Sequence, residues 1–350
     1  MKKLLKYISP FAPDNSGAAA VLYELGGIVV ICDAGGCAGN VCGFDEPRWF
    51  EKRSALFSAG LRDMDAILGR DDRLAEKLAK AAGQIGAPFT AIIGTPVPAV
   101  IATDYRALKR LSERKTGLPA LAVDTTGTSY YDKGEEKAYM ELFKTFSTGG
   151  TPKKGKVGVI GATPLDLSMT TPDALISALK KLGCDEPVCF GMNSGLEEIK
   201  DAGSCEKLIA ISPGAVKAAE YLSEKFHIPY ETGCPDLLDI ASKLSHKAEG
   251  KRILIVHQQF AANSLRSEIL SRISCDITCA SWFMTDKRYM EQQDLHIPDE
   301  ETFAEKVQSG GYDIVIADIS LKRAVKDFKG EWIDYPHFAV SGRLAGKAFG

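Results

Sequence analysis

The sequence predicts an α/β protein with three doubly wound, Rossmann-like domains, each built on a parallel sheet. Apolar runs at 28–31, 157–160 and 252–256 are each followed by a polar segment and then by a helical pattern. Strands that alternate with helices in this way form parallel sheets covered on both faces. The length of 350 residues exceeds one average domain, which agrees with a division into several.

The first predicted domain spans residues 1–150 and carries a cysteine-rich segment. Gly26 and Gly27 end its first helix, and Asp71 restarts a later one. The predicted elements are a turn-rich loop at 9–17, a helix at 18–25, strands at 28–31, 89–93 and 120–123, and a helical region at 61–82.

The second and third predicted domains span residues 151–247 and 248–350. Polar stretches at 149–155 and 246–250 are predicted to be the boundaries. Thr171, Pro172 and Ser212 are predicted to start helices. The predicted strands are 157–160, 188–190, 207–211, 252–256, 276–281 and 313–317, with closing strands at 121–127, 228–233 and 332–336.

The composition and charge of the chain argue against nucleic-acid-binding and membrane proteins. The net charge of −3 lacks the basic excess of a nucleic-acid-binding surface. We find no apolar stretch of roughly 20 residues that could span a membrane, and no signal peptide at the start. We therefore expect a cytoplasmic protein that binds neither nucleic acid nor membrane. Its nine cysteines fit a reducing compartment, where thiols stay free, bind metal or react.

Three of the cysteines occur at equal spacing directly after the first strand. Cys32, Cys37 and Cys42 lie five positions apart, in a segment that also contains Gly35, Gly36 and Gly39. The carboxyl end of a parallel strand is where α/β proteins bind ligands. The segment is therefore either a metal site or a place where three structural thiols happen to fall close together.

Several common catalytic motifs are absent from the sequence. No G-x-x-x-x-G-K-[ST] phosphate loop occurs, so we expect no ATP site in this chain. If ATP hydrolysis drives the chemistry, another protein performs it. There is no G-x-S-x-G nucleophile elbow, and the five histidines are scattered, which argues against a zinc site made of histidines.

Five short motifs are spread along nearly the whole chain. They are A-P-D-N-S-G-A at 12–18, G-G-C at 35–37, F-S-A-G-L at 57–61, G-T-P-V at 94–97 and P-H-F-A-V-S-G-R at 336–343. With these motifs the chain resembles the nitrogenase component 1 family, which includes the catalytic subunits of nitrogenase and of the dark-operative tetrapyrrole reductases. The motifs keep the order that they have in the family, which makes the resemblance stronger than any single match.

The resemblance implies three parallel α/β domains and an iron–sulfur cluster, of the four-iron type, at the interface of two related subunits. It also implies two kinds of partner. One is an ATP-hydrolysing iron protein that delivers electrons, and the other is a component 1 subunit that forms a homodimer or heterodimer with this chain. Thiolates are the usual cluster ligands because they are soft and anionic.

The chain departs from the family pattern at places that matter for function. Cys37 matches one of the three cysteines that a nitrogenase subunit offers to the interface cluster. The other two would fall near Phe11 and Pro96, which cannot bind iron. The cysteine that anchors the nitrogenase cofactor would fall near Ser212. The resemblance therefore implies no molybdenum cofactor bound in the nitrogenase way, and we do not expect dinitrogen reduction.

Cys37 is the strongest candidate metal ligand, followed by Cys42 and then by Cys32. The sequence fits a structural role for Cys32 equally well. Cys234 is a weaker candidate that could line a cleft between domains. His257 and His337 are weak candidates for catalytic residues, since each follows a predicted strand or a family-like motif. The segment 45–49, with Arg48 and Trp49, reads either as a solvated helix start or as a contact with a partner protein.

The leading hypothesis is a catalytic-component subunit of a nitrogenase-like, ATP-dependent reductase whose substrate lies in a cleft between the domains. The alternative is a scaffold or partner subunit without a cluster of its own, used in cofactor assembly or as the non-catalytic half of a heterodimer. A weaker third possibility is a small-molecule binder with only structural thiols.

Overall fold

The computed structural model describes residues 5–244 and 248–346. Its strands form three sheets, and every strand pair within a sheet is parallel. Buried residues fill both faces of the central strands, which is the environment that continuous apolar runs favour. The predicted α/β fold is confirmed. No described helix combines the length and the apolar character needed to cross a membrane.

The first sheet has the strand order β2-β1-β3-β4. Its strands are β1 (Ile28–Ile31), β2 (Ala55–Ser58), β3 (Thr90–Ile93) and β4 (Ala120–Val123). Its helices are α1 (Asp14–Leu22), α2 (Gly36–Asn40), α3 (Asp63–Leu68), α4 (Asp71–Ile85), α5 (Pro96–Val100), α6 (Tyr105–Thr116) and α7 (Tyr131–Phe146). A single turn of π-helix at Val41–Asp45 and a 3₁₀ turn at Pro47–Phe50 follow α2.

The second sheet has the strand order β6-β5-β7-β8. Its strands are β5 (Gly149–Ile160), β6 (Glu186–Cys189), β7 (Gly203–Ala210) and β8 (Tyr230–Thr232). Its helices are α8 (Pro164–Leu167), α9 (Asp173–Lys181), α10 (Leu196–Lys200), α11 (Val216–Phe226) and α12 (Ile240–Leu244).

The third sheet has the strand order β11-β10-β9-β12-β13. Its strands are β9 (Arg252–Val256), β10 (Asp276–Ser281), β11 (Leu295–His296), β12 (Ile314–Ala317) and β13 (Glu331–Asp334). Its helices are α13 (Gln259–Leu270), α14 (Glu300–Ser309) and the short α15 (Phe338–Ser341).

One prediction about the first third of the chain was wrong. The first helix begins at Asp14 rather than at residue 18, because the Pro13 carbonyl accepts the Gly17 backbone N–H at 3.2 Å as the first bond of the helix. The Asp14 carboxylate fixes this helix start by accepting hydrogen bonds from the backbone of Thr126 and Gly127. The polar stretch at 149–155, which was predicted to be a boundary, is extended. It is the exposed first part of β5, and Gly149 pairs with Gly203.

The other predicted boundary, at 246–250, falls partly on residues 245–247, which lie outside the described residues. The division into domains 1–150, 151–247 and 248–350 therefore remains a prediction. The end of the chain crosses back over the second sheet, where Ser168 Oγ accepts the Phe338 backbone N–H at 2.8 Å. Ala339 O also accepts the backbone N–H of Ala12 at 2.8 Å.

Helices α1 and α7 cross at backbone contact. A Cβ atom placed on Gly134 would lie 1.7 Å from Asp14 O, and one on Gly17 would lie 1.9 Å from Tyr131 O. Only glycine fits at these two positions. The crossing holds the start of α7 against the first sheet, where it meets residues from the other two sheets.

Candidate functional site

The cysteine-rich segment is mostly helical rather than a loop. After β1 the chain turns at Gly35, whose φ of +126° favours glycine. Asp33 then holds the start of α2, because its Oδ2 accepts the Ala38 backbone N–H at 2.8 Å and its Oδ1 accepts the Ser58 hydroxyl at 2.6 Å. Cys37 lies on α2 and Cys42 on the π-helical turn that continues it.

The structure separates Cys32 from the other two cysteines. Cys32 is buried with the side chains of Leu74, Leu78 and Leu108, on one face of the first sheet. Cys37 and Cys42 are partly exposed and pack against the core on the other face. Cys32 was predicted to be either a metal ligand or a structural thiol, and its buried position favours the structural role.

Burial raises the pKa of all three thiols, and that of Cys32 rises to about 12. The Asp33 carboxylate also raises the pKa of Cys37, whereas a hydrogen bond with Thr95 lowers it. The Glu46 carboxylate adds to the rise at Cys42. Free Cys37 and Cys42 are therefore protonated at neutral pH, and binding of a metal would release their protons.

Within residues 5–244 and 248–346, no three His, Cys, Asp or Glu side chains converge on a point that could hold a metal ion. Cys234 is buried in the core around β9 and α13, and burial raises the pKa of its thiol.

Phe11 and Pro96, where the resemblance predicts that family cysteines are missing, are both packed against neighbouring residues. Phe11 packs in a buried aromatic cluster, with its ring centroid 5.3 Å from that of Trp282 and 5.6 Å from that of Phe283. Pro96 opens α5, and a Cβ atom on Gly127 would lie 2.6 Å from its Cδ. Ser212 is buried as well.

Arg48 fixes the segment that follows the cysteines. Its guanidinium is completely buried and pairs with Glu46 at 2.7 Å and with Glu24 at 2.9 Å. It also donates to Ala20 O at 2.7 Å and to Gly191 O at 3.1 Å, in the region of the second sheet. Segment 45–49 was predicted to be either a solvated helix start or a contact with a partner protein. Because Arg48 is buried, its side chain cannot contact a partner directly.

Apolar side chains are exposed at the same edge of the first sheet as the segment that carries Cys37 and Cys42. They come from β2 and from the segments that follow β1, β2 and β3, and these segments emerge at one edge because the three strands are neighbours in the sheet. Large apolar side chains are exposed in each of them, for example Phe50 at 78% and Val100 at 84%. We call this surface the apolar face. Its members are Phe44, Trp49, Phe50, Phe57, Met64, Ile67, Leu68, Val97, Val100 and Ile101.

The two candidate histidines are brought together by the third sheet. His257 follows β9, His337 follows β13, and their rings stack with centroids 4.1 Å apart. His257 Nε2 donates to Pro336 O at 3.3 Å, and its Nδ1 is buried without a hydrogen-bond partner among the described residues. Burial lowers the pKa of both rings, and that of His257 falls to about 4.

A buried polar network that the sequence did not indicate reaches His337 from the other two sheets. Tyr131, at the start of α7, lies with its hydroxyl 3.0 Å from His337 Nε2 and 2.6 Å from Asp166 Oδ1. Glu135 lies one turn further along α7 and accepts the Thr163 hydroxyl at 2.6 Å. The residues of this network lie far apart in the sequence, so no local sequence pattern could have indicated it.

A cleft of about 450 Å³ lies next to this network. Its walls include Tyr130, Trp282, Phe283, Lys133 and His296. The Phe283 ring contacts both Tyr131 and His337, with centroids 5.0 Å away in each case. One aromatic ring therefore separates the cleft from the buried network.

Comparison with known proteins gives two positive findings. A family model described as nitrogenase component 1 type oxidoreductase matches residues 15–244. Among solved structures, a chain of "Nitrogenase Cp1 at pH 6.5" aligns with a TM-score of 0.74 at 11% identity, covering 96% of this chain and 87% of that chain. A chain of "Nitrogenase Cp1 at pH 5" aligns with a TM-score of 0.68 at 14% identity, covering 98% and 86%. No curated protein sequence matches the chain.

Proposed function

Because the chain belongs to the nitrogenase component 1 type oxidoreductase family, we propose that it is a catalytic-component subunit of an ATP-dependent reductase. Electrons would come from a separate ATP-hydrolysing iron protein, since this sequence contains no phosphate loop. The substrate is a compound other than dinitrogen, because the position of the cofactor cysteine falls near the buried Ser212.

The observation that carries this proposal is the pair of partly exposed thiols, Cys37 and Cys42, at the same edge of the first sheet as the apolar face. Two soft thiol ligands from each subunit fit a four-iron cluster held between two subunits, because such clusters are usually held by four thiolates. An iron–sulfur cluster supplies one-electron redox chemistry when bound. Cys37 and Cys42 would hold it, and Cys32 would remain a core residue.

The apolar face supports association with a second component 1 subunit, either identical or related. Contiguous exposed apolar surface of this kind is typical of interfaces. Since Cys37 and Cys42 lie on the same segment as Phe44, the association that covers the apolar side chains would also complete the ligand set. The cleft beside Phe283 is the site that we propose for the substrate, because aromatic walls and a few polar groups suit an organic ligand.

The test is iron and sulfide analysis of the full chain after anaerobic purification or reconstitution. We expect Cys37→Ala and Cys42→Ala each to lose most of the bound iron. Cys32→Ala should keep it, and so should Cys275→Ser, which alters a comparably exposed thiol in the third sheet region. A Cys37→Ala protein with a full complement of iron would sink the ligand assignment.

The same measurement separates the proposal from its main alternative. Wild-type protein that stays free of iron after reconstitution with its partner subunit would favour a scaffold or non-catalytic subunit. Substrate reduction that requires both the iron protein and ATP would favour the reductase.

A further inference from the structure

The buried network contains two carboxyl groups that form no ion pair with a described residue. Glu135 lies on α7 and Asp166 on α8, directly after the second sheet. Glu135 Oε1 accepts the Thr163 hydroxyl and Asp166 Oδ1 accepts the Tyr131 hydroxyl, each at 2.6 Å. The remaining oxygens, Glu135 Oε2 and Asp166 Oδ2, are buried without a close hydrogen-bond partner among the described residues. Besides Tyr131, the side chains that interact with Asp166 are Glu135 and the buried hydroxyl of Ser212.

A proton between the two groups satisfies both remaining oxygens. The carboxyls interact directly with each other, and a hydrogen bond between two carboxyls requires that one of them be protonated. We infer that Glu135 and Asp166 share one proton and that this acid pair is a proton store, connected through Tyr131 to His337.

The surroundings of the acid pair favour retention of the proton. The titratable groups that face it are Asp132, Tyr131 and Tyr139, together with the thiol of Cys234, and none of these carries a positive charge. Burial raises the pKa of Glu135 and of Asp166, and the neighbouring carboxylate raises that of Glu135 further. Two ionised carboxylates that are buried next to each other would repel each other strongly, because no water screens their charges.

Tyr131 connects the acid pair to His337. Its hydroxyl donates to Asp166 Oδ1 at 2.6 Å, and the same oxygen lies 3.0 Å from His337 Nε2. Loss of the shared proton would leave a second negative charge on the pair and would strengthen the hydrogen bond that Tyr131 donates to Asp166.

The use of this proton in reduction rests on the proposed function, because reductions of organic compounds consume protons together with electrons. The proton store itself does not depend on that function. Its test therefore uses the full chain without iron, so that failure of the store and failure of the reductase assignment are distinguishable.

Infrared spectroscopy of the protein at neutral pH tests the store through the carbonyl stretch of a protonated carboxylic acid. We expect one such band in the wild type, a shift of that band in D₂O, and its loss in both Glu135→Gln and Asp166→Asn. Tyr131→Phe should keep the band and shift it, because one hydrogen bond to the pair is removed. The control is Glu136→Gln, which alters the neighbouring carboxylate that pairs with Lys217.

Two outcomes would overturn the inference. One is a wild-type spectrum without a protonated carboxyl band at neutral pH, and this result decides the matter even if both variants fail to fold. The other is a band that persists unchanged in both variants, which would place the proton elsewhere in the protein.

Discussion

Burial, rather than a charged partner, sets the protonation of His257 and His337. Both rings are almost inaccessible to solvent and stack on each other, and His257 also stacks on Tyr335 at 4.2 Å. A neutral imidazole tolerates this environment, whereas an imidazolium loses its hydration, and at His257 the Asp318 carboxylate offsets only part of that loss. The histidine pair is therefore sensitive to acid.

This leads to a prediction for His257→Phe. The pKa of His257 is lowered to about 4, so the unfolded chain binds a proton below its ordinary pKa of ~6.5 while the folded chain does not. The free energy of unfolding contains the full contribution of neutral His257 above pH ~6.5. As the pH falls from ~6.5 to ~4, only the unfolded chain binds the proton, and the free energy of unfolding decreases by roughly 3 kcal/mol in total. The variant should lose less stability than the wild type between pH ~6.5 and ~4.

Chemical denaturation across this pH range measures the effect, with the exposed His296→Gln as control. The raised pKa values of Glu135 and Asp166 act in the opposite sense, because protonated carboxyls suit the buried site, so the comparison must be between variant and wild type. Identical acid dependence in the two proteins would contradict the prediction.

Individual site residues were only partly predictable. Cys37 and Cys42 could be singled out because glycines and a strand end flank them in the sequence. The separation of Cys32 from them could not, because it depends on which face of β1 each side chain occupies. Asp33, which orients α2 through two hydrogen bonds, was missed because an acidic residue after a strand is common.

Among the elements, the crossing of α1 and α7 tolerates no side chain. We predict that Gly134→Ala destabilises the fold by about 3 kcal/mol or more, because the new methyl group would overlap Asp14 O. Gly83→Ala, within α4, meets nothing within 4 Å and should stabilise the protein by roughly 0.5–1 kcal/mol. Thermal or denaturant unfolding distinguishes the two, and equal stability of both variants would refute the close crossing.

The elements that the sequence analysis missed lack a clear apolar pattern. Helix α7 buries Asp132, Glu135 and Glu136, so its buried face does not show the apolar periodicity on which the prediction relied. Strand β2 lies at a sheet edge and buries only Leu56 fully, so its four residues carry little pattern. Strands β1, β9 and β10 were found with correct bounds because their apolar runs are buried on both faces.

For the whole molecule, the apolar face should control association. We predict that Val100→Lys weakens self-association or binding of a component 1 partner by at least tenfold, about 1.4 kcal/mol, because a charge would enter an apolar contact. Leu182→Lys is the matched control, since Leu182 is 72% exposed but lies in the second sheet region. Sedimentation velocity provides the dissociation constants, and equal weakening by both variants would place the interface elsewhere.

The anchoring of Arg48 has a consequence for the kinetics of such an assembly. Its hydrogen bonds to Glu46, Ala20 and Gly191 hold the segment after the cysteines in one shape within a single chain. Ser16 and Asn40 add to this by bonding Asp45 at 2.7 and 2.8 Å. Two subunits that meet through preformed surfaces associate as rigid bodies, typically at about 10⁵–10⁷ M⁻¹s⁻¹. Encounter, rather than refolding of the cysteine segment, should then limit the rate at which the complete enzyme forms.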